Sequence, residues 1–360
     1  MKDAANLHEQ FQEYVKHHKL FSRHQKLLLA FSGGVDSVCL LDLLYRAGFE
    51  ITLAHCNFQL RGTASDGDEK FTFRIAKELG IEAISKKFTL EQKSCIEITH
   101  VQEQCRKLRY DWFEELCESG GFKLVLTAHH GNDQVETVLR NLIHGTGIQG
   151  LSGMSPKRGR LVRPLLFTNK EVIERYVKKR KLRFRNDATN KLKKYERNRI
   201  RMELIPLLEK YNPGFQKSFL RSISYFQDTE RLYHKSVEQS RKKLIEKRGK
   251  DYFVSIRKLI ACDSVSTIVY ELLKPFGFVS SQVDEVLKLL DAPTGKQVLS
   301  STYRVFKDRN GLIVTSKRAD SADFILVEKE DRNVEFELGK FRLLEKEIGK
   351  IGRASCRERV

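Results

Sequence analysis

Three stretches of this 360-residue chain hold side chains and glycines spaced for chemistry. The first is Ser32-Gly33-Gly34-Val35-Asp36-Ser37. A glycine turn between a strand and a helix makes free backbone N–H groups and the positive end of a helix dipole converge, which suits a phosphate group. The plainer alternative is a tight βα turn with Asp36 capping the helix. It is not a Walker A loop, because the GxxxxGK[ST] lysine is missing. The second stretch is Ala128 to Thr137, with His129, His130, Asp133 and Glu136. Asp133 at a helix start, with Glu136 three residues on, reads as a plain cap or as a magnesium site, and the histidines as packing or site residues. The third is basic: Lys178, Lys179, Arg180, Lys181, Arg183 and Arg185, then Lys191, Lys193, Lys194, Arg197, Arg199 and Arg201, with Phe184 and Tyr195 interleaved. Such a run is either a solvated helix face or an RNA surface, since arginine forks match phosphates and aromatics stack unpaired bases.

The elements that must position these groups follow from periodicity. Leu27 to Phe31 is an apolar run of strand length; Val38, Leu40, Leu41, Leu43 and Leu44 then recur at helical spacing, and Gly48 stands at a C-cap. Strands are expected at Ile51 to His55, Ile81 to Ile84 and Leu124 to Thr127, with helices from about Asp66 to Leu79 and from Ile98 to Cys117. This alternation predicts an α/β fold with a doubly wound, mostly parallel sheet and ligands at the carboxyl ends of its strands. A lead-in helix precedes it over residues 1–22, and Pro206 and Asn212-Pro213-Gly214 close this catalytic domain, 23–213. A mainly helical second domain, 214–316, is expected from Phe215 to Glu246, Asp263 to Phe276 and Ser280 to Leu290. Leu299 to Tyr303 and Leu312 to Thr315 read as a β-pair whose connection contains the turn Asp308-Arg309-Asn310-Gly311.

Composition narrows the function classes. A net charge of +19 and a pI near 9.6 favour a polyanion partner. No apolar stretch is long enough to span a membrane and the first twenty residues are polar, so no membrane partner and a cytoplasmic location are expected. The seven cysteines show no CxxC pair and read as thiols in a reducing compartment. The last ten residues, Ile351 to Val360, back-translate into a string similar to a sequencing-library adapter, which marks 351–360 as a suspected artefact and 317–350 as the start of a truncated module.

Ser32 to Ser37, SGGVDS, resembles the PP-loop of the ATP pyrophosphatases, which cleave ATP between its α- and β-phosphates. The resemblance implies ATP binding by Ser32, Gly33, Gly34, Val35, Asp36 and Ser37, with Mg²⁺ held by Asp36. Further motifs are similar to those of the tRNA(Ile)-lysidine synthases: His55 to Gly62 (with Phe58 in place of a second histidine), Arg109-Tyr110, Ala128 to Thr137 (with Asn132 in place of an aspartate), Gly145 to Leu151, Leu161 to Leu166, and Asp187 to Arg201. That family implies ATP-dependent attachment of L-lysine to the wobble cytidine of the CAU-anticodon isoleucine tRNA. It also implies a catalytic set of Arg109, Asp133 and Asp36, and tRNA contacts from Arg61, Arg163, Lys194, Arg197, Arg199 and Arg201; a homodimer is an assembly left open. Arg109 has the alternative of a helix-surface salt bridge to Glu103 or Glu114. Two other classes stay open: a PP-loop tRNA thiolase, which should show paired cysteines, and a non-enzymatic RNA-binding protein, which would leave SGGVDS unexplained.

Overall fold

The computed structural model describes residues 6–60, 62–88, 98–185, 196–317, 333–336 and 339–342. The chain divides into two compact units, Met1–His234 and Lys235–Val360.

In the first unit the elements run α1 (Leu7–His17), β1 (Leu27–Ala30), α2 (Val35–Arg46), β2 (Ile51–Asn57), α3 (Thr63–Leu79), β3 (Glu82–Lys87), α4 (Ile98–Ser119), β4 (Leu124–Leu126), α5 (Gly131–Ile143), α6 (Ile148–Leu151), β5 (Lys157–Arg158), β6 (Leu161–Val162), α7 (Lys170–Lys179), α8 (Glu196–Arg199), a π-helical turn at Ile200–Leu204, α9 (Ile205–Tyr211) and α10 (Phe215–Leu244), which crosses into the second unit. The sheet has the order β3-β2-β1-β4-β6-β5. All its pairings are parallel except β5 with β6. The fold is therefore the doubly wound, mostly parallel sheet expected. Period-two alternation drives it: Leu27 and Leu29 of β1 pack with α1, α2, α3 and α7, whereas Leu28 faces Trp112, Phe113 and Cys117 of α4. Chain order reverses between β1 and β4, so the crevice of the switch point lies between the β1–α2 and β4–α5 loops.

One strand differs from the sequence expectation, and one motif is only partly a strand. β3 extends to Lys87 because Asn57 at the end of β2 still finds a register partner there; its polar residues Ser85, Lys86 and Lys87 give no apolar signal. The 161–166 stretch pairs only at Leu161 and Val162 before Pro164, and resumes as a single bridge between Leu165 and His130.

In the second unit β7 (Ile245–Arg248), β8 (Asp251–Ser255), α11 (Ile256–Ile260), α12 (Val265–Leu273), α13 (Val283–Leu289), β9 (Gln297–Leu299), β10 (Tyr303–Asp308) and β11 (Gly311–Ser316) follow. The antiparallel sheet β7-β8-β11-β10-β9 and the three helices share one core around Val254, Leu272, Val286, Val305 and Val314. The hairpin turn falls at Arg309-Asn310, between Asp308 and Gly311, as its sequence indicates. Its first strand is 303–308 rather than 299–303, because Ser300 breaks the chain by accepting the Tyr303 N–H and donating to the Phe276 carbonyl. The helix expected to reach Glu246 stops at Leu244, and β7 pairs with β8 instead. A separate pair, β12 (Asn333–Phe336) and β13 (Gly339–Arg342), is antiparallel. Residues 351–360 lie outside the described residues.

Candidate active site

The turn after β1 is built as its residues dictate. Gly33 has φ +77°, and a Cβ there would meet the Phe71 ring at 3.2 Å, so only glycine fits without strain. Gly34 is the N-cap of α2 and its side-chain-free backbone opens the helix N-terminus. Ser37 Oγ donates to the Gly34 carbonyl (2.9 Å), and the Gly34 N–H donates to Ser32 Oγ (3.3 Å), so both hydroxyls brace the turn. Arg185 covers it: its N–H donates to the Gly33 carbonyl (2.9 Å) and its Nε to Asp68 Oδ1 (2.8 Å).

Asp36 does not cap its own helix. Its carboxylate receives Lys170 Nζ on both oxygens, at 2.7 and 2.8 Å. Lys170 opens α7, where Asn169 is the N-cap and the Lys170 N–H donates to Asn132 Oδ1 (2.8 Å). The Asn132 amide also donates to Gln216 Oε1 (2.8 Å), so one side chain ties α5 to α7 and α10. His130, the N-cap of α5, turns Nε2 towards Asp36 (3.8 Å) and Asp133 (3.5 Å). The N-termini of α2, α5 and α7 thus gather at one acidic residue, and three helix dipoles favour anions there.

Asp133 and Glu136 form the other half of the site. Asp133 Oδ2 accepts the His130 N–H (2.9 Å), as a capping aspartate does. Its Oδ1 accepts Arg197 Nη2 (2.7 Å). Glu136, whose side chain is 1% exposed, accepts Arg197 Nε (2.6 Å) and Arg201 Nε (2.5 Å). Burial opposes ionisation of Asp133, but His130, Arg197, His129 and the His130 N–H outweigh it and hold the carboxyl below its usual range. His129 is pushed down to about 4 by burial and by Arg197, Arg163 and Arg106, against the pull of Asp133, so it is neutral at pH 7. Its Nδ1 lies 2.9 Å from Thr127 Oγ1.

The remaining expected site residues fall in different places. Arg109 on α4 lies over the Phe58 ring (5.5 Å), which itself stacks on Phe88 (4.9 Å). Neither salt bridge considered for it is formed among the described residues; Glu114 pairs with Arg160 (3.6 Å). Phe58 therefore contributes packing where an imidazole would contribute a proton site. Arg199 is exposed, and among the described residues its ion pair is a 3.8 Å contact with Glu203. Arg163 is buried. Arg61 and Lys194 lie outside the described residues. Lys170 is the residue that sequence reading misses: Asn169 signals a helix start, but nothing local signals a partner 134 residues away.

A metal fits here only in company. Among the described residues no group of three His, Cys, Asp or Glu could hold one. Asp36 is 30% exposed with both oxygens on Lys170 Nζ, so a Mg²⁺ there would share that carboxylate and take phosphates and water as its other ligands.

A family profile of the PP-loop domain matches residues 4–208, and it assigns the strand–glycine turn–helix at the switch point of this sheet to that class. The profile of the TilS substrate binding domain matches residues 247–317. The tRNA(Ile)-lysidine synthase of Bacteroides thetaiotaomicron is 38% identical over 307 residues, covering 85% of this chain and 71% of the relative. That of Parabacteroides distasonis is 38% identical over 314 residues, covering 87% and 71%. The chain belongs to the tRNA(Ile)-lysidine synthase family. Among solved structures, the U34-tRNA thiolase NcsA of Methanococcus maripaludis shares the fold, with TM-score 0.50 and 18% identity over 61% of this chain and 78% of the thiolase.

Proposed function

We propose that this chain ligates L-lysine to C2 of the wobble cytidine in the CAU-anticodon isoleucine tRNA, converting ATP to AMP and pyrophosphate and changing codon reading from AUG to AUA. The observation that carries the reading is the SGGVDS turn at the switch point, faced by Asp36 and Lys170, in a member of this family. ATP supplies an activating group: the cytosine O2 attacks the α-phosphorus, pyrophosphate leaves, and the lysine amine then displaces AMP from C2. A pyrimidine carbonyl oxygen is a poor leaving group until it is phosphorylated, and no protein nucleophile is needed.

The chain's own residues divide the work. The free N–H groups of the turn and the α2 N-terminus receive the departing pyrophosphate. Lys170 Nζ adds a positive charge at the same point, and Asp36 would hold Mg²⁺. Asp133, kept ionised, holds Arg197 at the switch point. Arg109 stands on α4 to offset charge developing at the α-phosphate. Residues 247–317, matched by the substrate binding domain, would grip the tRNA body. Four of the thiols speak against sulfur transfer: burial pushes Cys56 up to about 12 and raises Cys39, Cys105 and Cys117, so none of these is a ready thiolate. The test is incorporation of radiolabelled lysine into total tRNA. ATP-dependent incorporation is expected; sulfur incorporation without lysine would assign the chain to the thiolases instead.

A further inference from the structure

A buried cation with no carboxylate partner among the described residues lies beside the same strand ends. Arg163 directly follows β6 and is 6% exposed. Its Nη1 donates to the Ser155 carbonyl (2.8 Å), while its Nε is buried with no acceptor among the described residues. The charges around it have the same sign. Burial lowers its proton affinity, and Arg106 and Arg158 lower it further, against Tyr110. Arg106 reaches over the Tyr110 ring (5.2 Å) from α4, and Arg158 stands on β5, paired in register with Leu161 of β6. Both are exposed, and among the described residues none of the three arginines has an ion pair.

Folding an arginine into the interior without a counter-charge is costly, and buried charges are normally paired. A cationic floor under a cationic rim, at the carboxyl end of a parallel strand, is relieved by an anion arriving from solvent. The cluster also adjoins the reaction centre: the carbonyl of Val162, one residue before Arg163, accepts the Thr127 N–H (2.9 Å), and Thr127 Oγ1 lies 2.9 Å from His129 Nδ1. We propose that Arg163, flanked by Arg106 and Arg158, binds the α-carboxylate of the amino-acid substrate; this rests on the ligase reading above. A planar carboxylate matches the guanidinium fork. A free amino acid is small enough to suit a recessed arginine, whereas a phosphate flanked by sugars on an RNA backbone is held at the surface.

The experiment compares L-lysine with 1,5-diaminopentane, which keeps both amines and lacks the carboxylate, as amine donors to tRNA with ATP. Wild-type enzyme should prefer lysine. Arg163→Gln should raise the KM for lysine by about tenfold or more, the effect of losing a charge-assisted hydrogen bond, with the KM for diaminopentane and for tRNA nearly unchanged. Arg106→Gln, at an exposed position that does not threaten the fold, should shift lysine in the same direction by a smaller factor, and it decides the matter if Arg163→Gln does not fold. Equal losses with both amines, or a higher KM for tRNA with that for lysine unchanged, would overturn the carboxylate site. Wild-type enzyme that incorporates no lysine would instead overturn the ligase reading, so the two failures are distinguishable.

Discussion

Asp36 and Lys170 concentrate the chemistry at the scale of single residues. Each is about a third exposed, so their ion pair is worth on the order of 1 kcal/mol to the fold. Asp36→Ala should therefore leave the melting temperature almost unchanged while pyrophosphate release from ATP and tRNA falls by about a hundredfold or more, the scale of lost electrostatic stabilisation. Lys170→Met should do the same through weaker ATP binding; a variant within a few-fold of wild type would remove Lys170 from the phosphate site. His129 gives a pH signature. Its folded value is near 4 against 6.5 for a free imidazole. Below pH 6.5 the unfolded chain binds a proton that the folded one refuses, so stability should decline between about pH 6.5 and 4, with a slope of about one proton. Urea unfolding of His129→Gln across that range should lack this component. An unaltered slope would show that His129 does not titrate as its burial requires.

At the scale of elements, legibility followed distance along the chain. The βα turn was readable because its strand, glycines and helix are consecutive. The network linking α5 to α8 and the π-turn was not, because Arg197 and Arg201 meet Glu136 from 61 and 65 residues away. The run that reads as a basic surface is partly paired with the chain's own carboxylates: Arg180 faces Asp42, Arg183 faces Glu78, and Arg185 faces Asp68. Strand β7 was hidden for another reason, since three of its four residues are charged and the pattern of α10 runs straight into it. The network also carries stability. Val135 and Leu139 of α5 pack on Ile200 and Ile205, so the arginines sit over an apolar contact. Replacing Arg197 and Arg201 together by alanine leaves Glu136 buried without a partner, which should cost about 3 kcal/mol or more. Adding Glu136→Gln to that double variant should restore much of the loss in a denaturant titration. No recovery would mean that the arginines stabilise through packing rather than charge.

For the whole molecule, a charge of +19 has to be divided between what the fold consumes and what it displays. Arg197 and Arg201 are consumed, so removing them would confuse folding with binding. Lys178 and Lys179, at the exposed end of α7, show no ion pair among the described residues, and Arg199 has only its long contact with Glu203. These three are the displayed part of the basic stretch and are the proper test of the proposed tRNA surface. If each contacts one phosphate, replacing all three by glutamine should flatten the plot of log K against log salt by about 2 to 3, at about 0.7 to 0.9 per contact. The KM for tRNA should rise while ATP binding and circular dichroism stay as in wild type, because none of the three braces the phosphate turn. An unchanged salt slope would move the RNA contact off this stretch altogether, leaving the charge near the switch point to serve the small substrates.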